Sequence, residues 1–170
     1  GVLHLFHGHP EVLARWRRRF AWIQVDEIQD TSLPEYSILR NLAADHKQLS
    51  FFGDVDQTIY EWRGSSPHTI LNRYRAEFSP NEIGLVTNYR STGAILDACR
   101  AVVHRCPGAV TKSIDAANGD QGEPVQIVQA PSIEAEAKWI AGRIQSLRET
   151  HGKRWSDFAV LTRTNFKGRD

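Results

Sequence analysis

The segment WIQVDEIQD, residues 22–30, decides the fold, because a short apolar run passes directly into a cluster of carboxylates. Ile23 and Val25 are β-branched and favour a strand, and Leu33-Pro34 opens a helical pattern after the acidic residues. The expected order is therefore strand, acidic loop and helix. In an open parallel sheet, side chains that follow the carboxyl end of a strand face a ligand-binding crevice.

The same alternation continues along the chain and predicts an α/β fold with parallel pairing. A second strand is predicted over residues 48–52, and it runs into a polar stretch over 53–57. Residues 106–124 read as a loop with room for one short strand. The remaining predictions are helices from Pro34, over 69–78, over 91–103 with Ser91 as the cap, and over 132–147, and strands over 83–86, 125–128 and 158–161.

Composition excludes several classes of protein. The 170 residues are 41% hydrophobic and 24% charged, which is typical of a globular chain. No apolar run approaches the roughly 18 residues of a membrane span, so we expect a cytoplasmic protein without membrane association. The net charge of +1 gives no sign of a nucleic-acid partner, and any basic surface must be local. A start at Gly1 and the lack of methionine favour a piece of a longer protein.

Cysteine and histidine residues do not predict a metal site. Cys99 and Cys106 are too few for a disulfide scaffold or a zinc cluster. His4, His7 and His9 crowd the amino terminus without a Cys or acidic partner at ligand spacing. We expect structural thiols and a solvated segment.

The acidic loop is the main candidate for chemistry. Asp26 could hold Mg²⁺ through water while Glu27 polarises an attacking water. The alternative is an acidic turn that caps the following helix. Asp54 and Gln57 follow the second strand, and they would share one crevice with the first loop if the two strands are neighbours. An amide such as Gln57 can donate to a phosphate oxygen and accept from water.

Aromatic and guanidinium groups follow the acidic loops. Tyr60, Trp62 and Arg63 lie beyond the second strand, and Tyr89 and Arg90 follow the third. A stacking face beside a fixed cation suits a nucleotide base or single-stranded nucleic acid. Taken singly, aromatic residues are more often core and arginines more often solvated.

In this order, the residues resemble the superfamily 1 DNA helicases of the UvrD, Rep and PcrA group. Residues 25–31 (VDEIQDT) resemble the Walker B element, motif II; residues 52–65 (FGDVDQTIYEWRGS) resemble motif III; and residues 85–92 (LVTNYRST) resemble motif IV. Residues 158–165 are similar to the strand that leads towards the second inserted subdomain. The resemblance implies a P-loop NTPase of the α/β class, with residues 1–84 as the C-terminal part of a first RecA-like domain and 85–170 as the N-terminal part of a second.

The resemblance also implies roles for individual residues. Asp26 would bind Mg²⁺, Glu27 would activate the hydrolytic water, and Gln57 would sense the γ-phosphate of ATP. Tyr89 would stack on adenine, and Arg90 would reach the γ-phosphate as an arginine finger.

The motif III aromatics are implied to line the path of single-stranded DNA. Tyr60 and Trp62 would stack on bases, and Arg63 would bridge the DNA side and the nucleotide side. The resemblance implies that the whole parent protein is an ATP-dependent helicase that moves 3′ to 5′, with ATP and Mg²⁺ as cofactors and single-stranded DNA as partner. No protein partner is indicated.

One departure from the family pattern is large. The phosphate-binding sequence GxxxxGK[ST] is absent: the one Gly-Lys pair, Gly152-Lys153, is followed by Arg154 and has Leu147 at the first glycine position. Motifs V and VI are not seen either. We therefore expect a helicase fragment that does not hydrolyse ATP by itself.

Two other functions stay open at this point. The chain could be a non-catalytic module, derived from a helicase, that binds nucleic acid or protein. It could also be a two-metal nuclease, with its ligands drawn from Asp26, Glu27, Asp30, Asp54 and Asp56.

Overall fold

The structure is a computed structural model that describes residues 1–106, 113–117 and 119–162. The chain divides into two units, residues 1–123 and residues 124–170. The helices are α1 (Val2–Gly8), α2 (Pro10–Arg17), α3 (Leu33–Ala43), α4 (Pro67–Phe78) and α5 (Gly93–Val103) in the first unit and α6 (Ile133–His151) in the second. The strands are β1 (Ile23–Val25), β2 (Leu49–Phe51), β3 (Thr87–Asn88) and β4 (Asp115–Ala116).

Strands β1 and β2 are parallel neighbours, with α3 as the helix between them in sequence. Ile23 pairs with Leu49 and Val25 with Phe51. The ladder extends past the strand ends, where the Phe52 N–H donates to the Val25 carbonyl at 2.9 Å. The predicted strand–loop–helix–strand order is therefore confirmed, and both strands end at one edge.

The core lies between this pair of strands and helices α3 and α4. Tyr36 is 1% exposed, and the side chain of Ile70 is fully buried. The ring of Phe51 lies 4.4 Å from that of Tyr74, centroid to centroid, and the Tyr74 hydroxyl donates to the Leu49 carbonyl. The buried side chains of the cluster are Ile28, Tyr36, Ala43, Leu49, Ile70 and Tyr74. Because Ile28 belongs to this cluster, the core reaches into the acidic loop.

Helix α3 begins with a mutual cap between Ser32 and Glu35. The Glu35 carboxylate accepts from the Ser32 N–H at 2.8 Å and from the Ser32 hydroxyl at 2.7 Å. These bonds lower the pKa of Glu35, and the nearby Arg63 charge adds to the effect. The helix is thus capped by its own first turn, and the alternative that Asp26, Glu27 or Asp30 serves as the cap does not hold.

Helices α1 and α2 were not expected from the sequence. Arg17 joins α2 to α3, because its Nε donates to the Asn41 carbonyl at 2.7 Å and its Nη1 lies 3.0 Å from Asp45 Oδ1. Phe6 of α1 is buried. Tertiary contacts therefore stabilise two short helices whose amphipathic pattern is too brief to predict.

The predicted strand over residues 83–86 is wrong, and so is the predicted cap at Ser91. Strand β3 begins at Thr87, where β4 is its parallel partner. Helix α5 has Thr92 at its N-cap, and its first N–H groups, those of Gly93 and Ala94, donate to loop carbonyls of residues 120–121 at 2.9 and 2.8 Å. Backbone carbonyls thus take the place of a serine hydroxyl.

The short strand predicted within residues 106–124 is β4. Residues 107–112 and 118 lie outside the described residues.

Two further predicted strands, over 125–128 and 158–161, are not strands in the structure. Ile127 is 96% exposed, and within the described part of this unit neither segment is paired with a strand. A β-branched run adopts a ladder only when a partner strand supplies hydrogen bonds. Helix α6 begins at Ile133 with Ser132 as its N-cap, and the Ser132 hydroxyl accepts from the Ala135 N–H at 3.2 Å. The helix continues to His151, beyond its predicted end at residue 147.

Among the described helices, none is both long enough and apolar enough to cross a lipid bilayer.

Alkaline pH should destabilise the core through its buried tyrosines. Burial, followed by the charge of Glu77, raises the pKa of Tyr36 above its ordinary 10.0, and burial also raises the pKa of Tyr74. Above about pH 10 the unfolded chain loses these protons first, so the free energy of unfolding falls, by at most about 1.4 kcal/mol per pH unit for each tyrosine. Urea titrations between about pH 8 and pH 12 should show this loss.

The variant Tyr36→Phe should be less stable than the parent chain at neutral pH by about 1 kcal/mol, because it lacks the 3.1 Å hydrogen bond to Glu77. Its stability should also fall less steeply above about pH 10. Tyr89→Phe, at an exposed position, is the matched control. An identical alkaline slope in the parent chain and Tyr36→Phe would contradict the prediction.

Candidate functional site

The loops after β1 and β2 are joined by hydrogen bonds at one edge of the sheet. The Ile28 N–H donates to the Phe52 carbonyl at 3.0 Å, and the Asp54 N–H donates to Gln29 Oε1 at 3.1 Å. Asp26 and Glu27 therefore lie at the same sheet edge as the 54–57 turn. The chemical roles of these residues stay predictions.

Glu27 has a backbone conformation that is rare for a residue with a side chain. Its φ of 53° and ψ of 48° lie in the left-handed region, which costs roughly 1–2 kcal/mol outside glycine. The Glu27 N–H donates to Asp26 Oδ1 at 2.9 Å, and the next two residues, Ile28 and Gln29, are buried. The packed turn that follows thus holds the strained backbone of Glu27 in place.

Gln29 is the residue of this site to which sequence reasoning assigned no role. It is 3% exposed, its Nε2 donates to Glu27 Oε2, and its Oε1 accepts from the Asp54 N–H. The one available signal was an amide placed between carboxylates directly after a strand. Its burial could not be read from the sequence, because the pattern of a loop does not show which side chains turn inward.

The turn after β2 holds Gln57 beside Asp54. Asp54 Oδ1 accepts from the Asp56 N–H at 3.0 Å, and Asp54 Oδ2 accepts from Gln57 Nε2 at 3.2 Å. Gln57 is exposed, so its amide is available to a ligand at the cost of one surface hydrogen bond. The turn is therefore ordered by local bonds and offers a polar group at the sheet edge.

The side chains of Tyr60, Trp62 and Arg63 lie close together. The two rings lie 6.4 Å apart at 56°, and the Arg63 guanidinium carbon is 5.3 Å from the Tyr60 centroid and 5.9 Å from the Trp62 centroid. Trp62 is 79% exposed. We name these three residues the aromatic platform.

The aromatic platform is attached to the acidic loop through the backbone. Ser65 forms an antiparallel bridge with Ser32, and the Ser66 N–H donates to the Thr31 carbonyl at 3.3 Å. Thr31 is itself buried. Backbone hydrogen bonds between residues 65–66 and residues 31–32 therefore fix the aromatic platform to the end of the acidic loop.

Tyr89 and Arg90 follow β3, which belongs to the second small sheet. Asn88 Oδ1 accepts from the Arg90 N–H at 2.9 Å and from the Ser91 N–H at 2.7 Å, which forms a tight turn, and Tyr89 is 87% exposed. Across the described residues, no hydrogen bond, ion pair or ring contact joins either side chain to the acidic loop.

An open depression of about 430 Å³ lies beside the acidic loop. Its polar lining includes Asp26, Glu27 and Asp30. Carboxylate oxygens are hard ligands that suit Mg²⁺, which is held in proteins by one or two carboxylates together with water and substrate phosphates. The donor set therefore fits a magnesium ion that a phosphate ligand would complete.

The chain does not supply a phosphate-binding loop of its own. The sequence lacks GxxxxGK[ST], and Gly152 of the one Gly-Lys pair is the left-handed C-cap of α6, with φ of 64°. That glycine therefore ends a helix. Within the described ranges, no three His, Cys, Asp or Glu side chains gather as a metal-binding group.

Two helicase family models match the chain. The UvrD/REP helicase N-terminal domain matches residues 1–77, and the UvrD-like helicase C-terminal domain matches residues 83–169.

Curated relatives are similar over almost the entire chain. The ATP-dependent DNA helicase PcrA of Leuconostoc citreum is 41% identical over 169 residues, which is 99% of this chain and 22% of the relative. The proteins of the same name from Staphylococcus aureus and Bacillus subtilis are 36% and 35% identical over 168 residues, which is 99% of this chain and 23% of each. The chain thus spans about a fifth of the length of the curated relatives it matches.

The close approach of the two loops should make Gly53 intolerant of a side chain. A Cβ at Gly53 would lie 2.3 Å from Gln29 Oε1, 2.8 Å from Ile28 Cγ2 and 3.0 Å from the Ile28 backbone nitrogen. Gly53→Ala should therefore lower the free energy of unfolding by about 1–3 kcal/mol, measured by denaturant titration.

Gly142→Ala is the matched control, because a Cβ there meets nothing within 4 Å and the residue lies inside helix α6. That change should leave stability unchanged or raise it by up to about 1 kcal/mol. Equal effects of the two substitutions would show that the loops after β1 and β2 are not closely packed.

Proposed function

Because this chain belongs to the UvrD-like helicase family, we propose that it is part of an ATP-dependent DNA helicase that moves 3′ to 5′ along single-stranded DNA. The observation that carries the proposal is the shared edge of β1 and β2. There the acidic pair, the Gln57 turn and the aromatic platform form one hydrogen-bonded group. Such a group suits the coupling of phosphate chemistry to a DNA contact.

We propose that residues 1–84 and 85–170 are parts of two RecA-like domains of P-loop type. Two small parallel sheets, β1–β2 and β3–β4, support the α/β class. The two matching family models meet between residues 77 and 83, next to the proposed boundary.

In the proposed reaction, Asp26 would hold Mg²⁺, and Glu27 would receive the proton of the attacking water. When bound, Mg²⁺ neutralises negative charge on the phosphate oxygens of ATP. The left-handed backbone at Glu27 and the Gln29 amide keep the carboxylate oriented at the sheet edge. A base held in one orientation accepts a proton without first reorganising, which is where the catalytic gain arises.

Gln57, Tyr89 and Arg90 complete the proposed nucleotide site. Gln57 exchanges its surface bond to Asp54 for the γ-phosphate. Tyr89 offers an exposed ring to adenine, and Arg90 offers a positive charge to the γ-phosphate in the transition state. The phosphate-binding loop is supplied from outside these 170 residues.

A non-catalytic module that binds nucleic acid or protein is the second candidate, favoured by the missing phosphate-binding loop. A GxxxxGK[ST] sequence upstream in the same open reading frame would exclude it.

The 170-residue chain by itself should not hydrolyse ATP. The reason is that backbone N–H groups and the lysine of a phosphate-binding loop are required to hold the phosphates. Phosphate release should match the protein-free background in the presence of Mg²⁺, with and without single-stranded DNA. Activity that needs DNA and disappears in Glu27→Gln would reveal an unrecognised phosphate cradle and contradict the prediction.

Single-stranded DNA should bind through the aromatic platform. Loss of one stacked base costs about 1–3 kcal/mol, so Trp62→Ala should weaken binding of a fluorescent oligothymidylate by roughly 5–150-fold at fixed salt. Trp139→Ala on helix α6, another exposed tryptophan, is the control and should have little effect. Equal losses in both variants would argue against stacking on Trp62.

A further inference from the structure

The Gln29 amide occupies a junction that no assigned role explains. It is buried between the loop that carries Glu27 and the turn that carries Gln57. One end of the amide contacts the Glu27 carboxylate and the other accepts the Asp54 N–H. It is the side-chain link that joins the proposed base to the turn after β2.

Only a side chain that both donates and accepts can satisfy this position. A glutamate at 29 would accept the Asp54 N–H but would place a second negative charge against Glu27. A leucine would leave the Asp54 N–H without its acceptor and the Glu27 carboxylate without its donor. The junction therefore depends on the chemistry of an amide.

The junction is also tightly packed, so it is suited to transmit a displacement of the 54–57 turn to Glu27. Gly53 lies so close that a Cβ there would overlap Gln29 Oε1. Ile28, next to Gln29, lies in the core. A shift of the 54–57 turn therefore cannot leave the amide in place, whereas the exposed Glu27 carboxylate is free to follow it.

We propose that Gln29 is a positioning residue that couples the orientation of the Glu27 carboxylate to the position of the 54–57 turn. Contact of Gln57 with a phosphate, or of the aromatic platform with DNA, moves the turn, and Gln29 transmits the movement to Glu27. The functional consequence rests on the proposed function; the coupling itself is a property of this chain and needs no ATP hydrolysis to be observed.

The test uses NMR on the 170-residue chain with ¹³C-labelled glutamate and ¹⁵N-labelled backbone, at constant pH. In Gln29→Leu, the Asp54 N–H should exchange with solvent about tenfold faster or more, because its acceptor is gone. The Glu27 carboxyl resonance should move as well. In Gln29→Glu, Asp54 N–H exchange should stay slow while the Glu27 resonance still moves, because the acceptor is kept and the donor is lost.

Gln24→Leu and Gln24→Glu are the matched controls. Gln24 lies exposed on β1, two residues before Asp26, so the same chemical changes are made outside the junction. Neither control should alter Asp54 exchange or the Glu27 resonance. If Gln29→Leu speeds amide exchange throughout the core, the result shows that Gln29 stabilises the fold in general. Gln29→Glu then distinguishes positioning of Glu27 from general stabilisation. An unmoved Glu27 resonance in Gln29→Glu overturns the proposal.

Coupling is tested by a double-mutant cycle with Asp54→Ala, which removes the side-chain bonds of the 54–57 turn. This change should move the Glu27 resonance in the parent chain and leave it almost unmoved in Gln29→Leu. Equal movement in both backgrounds would overturn the proposal.

In a full-length helicase that contains this segment, Gln29→Glu should lower kcat of DNA-stimulated ATP hydrolysis by about 10–100-fold with little change in KM for ATP. If the parent full-length protein shows no such hydrolysis, the proposed function fails. The NMR experiments on the 170-residue chain still test whether Gln29 couples Glu27 to the 54–57 turn.

Discussion

Parallel pairing of β1 with β2 is the constraint on which the candidate site depends. Because Val25 lies opposite Phe51, the residues that follow each strand emerge at the same edge. A shift of one residue in this register would turn the side chains of one strand to the opposite face and part the two loops. The hydrogen bonds from Ile28 to Phe52 and from Asp54 to Gln29 continue the pairing into the loops and convert a sheet edge into a site.

The hydrophobic core packs against this edge of the sheet. Tyr36 on α3 and Tyr74 on α4 both contact Phe51 of β2, and Ile28 extends the same cluster into the acidic loop. Burial of such side chains contributes about 1.5–3 kcal/mol each, enough to maintain a left-handed residue at the neighbouring position 27. Strain at the proposed base is thus offset by packing one residue away.

The proposed site has exposed outer side chains and buried inner ones. Trp62, Tyr89 and Gln57 are exposed, whereas Gln29 and Thr31 are buried. This division suits a site whose outer groups meet changing ligands. Its inner groups keep the loops in register, as expected when a rigid scaffold carries binding residues on loops.

Local residue order was enough to predict β1, the acidic loop, α3, β2 and the polar turn after it, because alternation, capping and proline placement act within a few residues. Tyr60, Trp62 and Arg63, which are close in sequence, also lie close together in the structure. The segments over 83–86, 125–128 and 158–161 carry the same apolar signal and form no strand, since a strand also needs a partner strand, whose position a local pattern does not show. The inward turn of Gln29 came only from the tertiary structure, because its Oε1 accepts from an N–H that lies 25 positions away, across the sheet. The left-handed backbone of Glu27 was not predicted either, since the apolar and polar pattern of a loop does not show backbone dihedral angles.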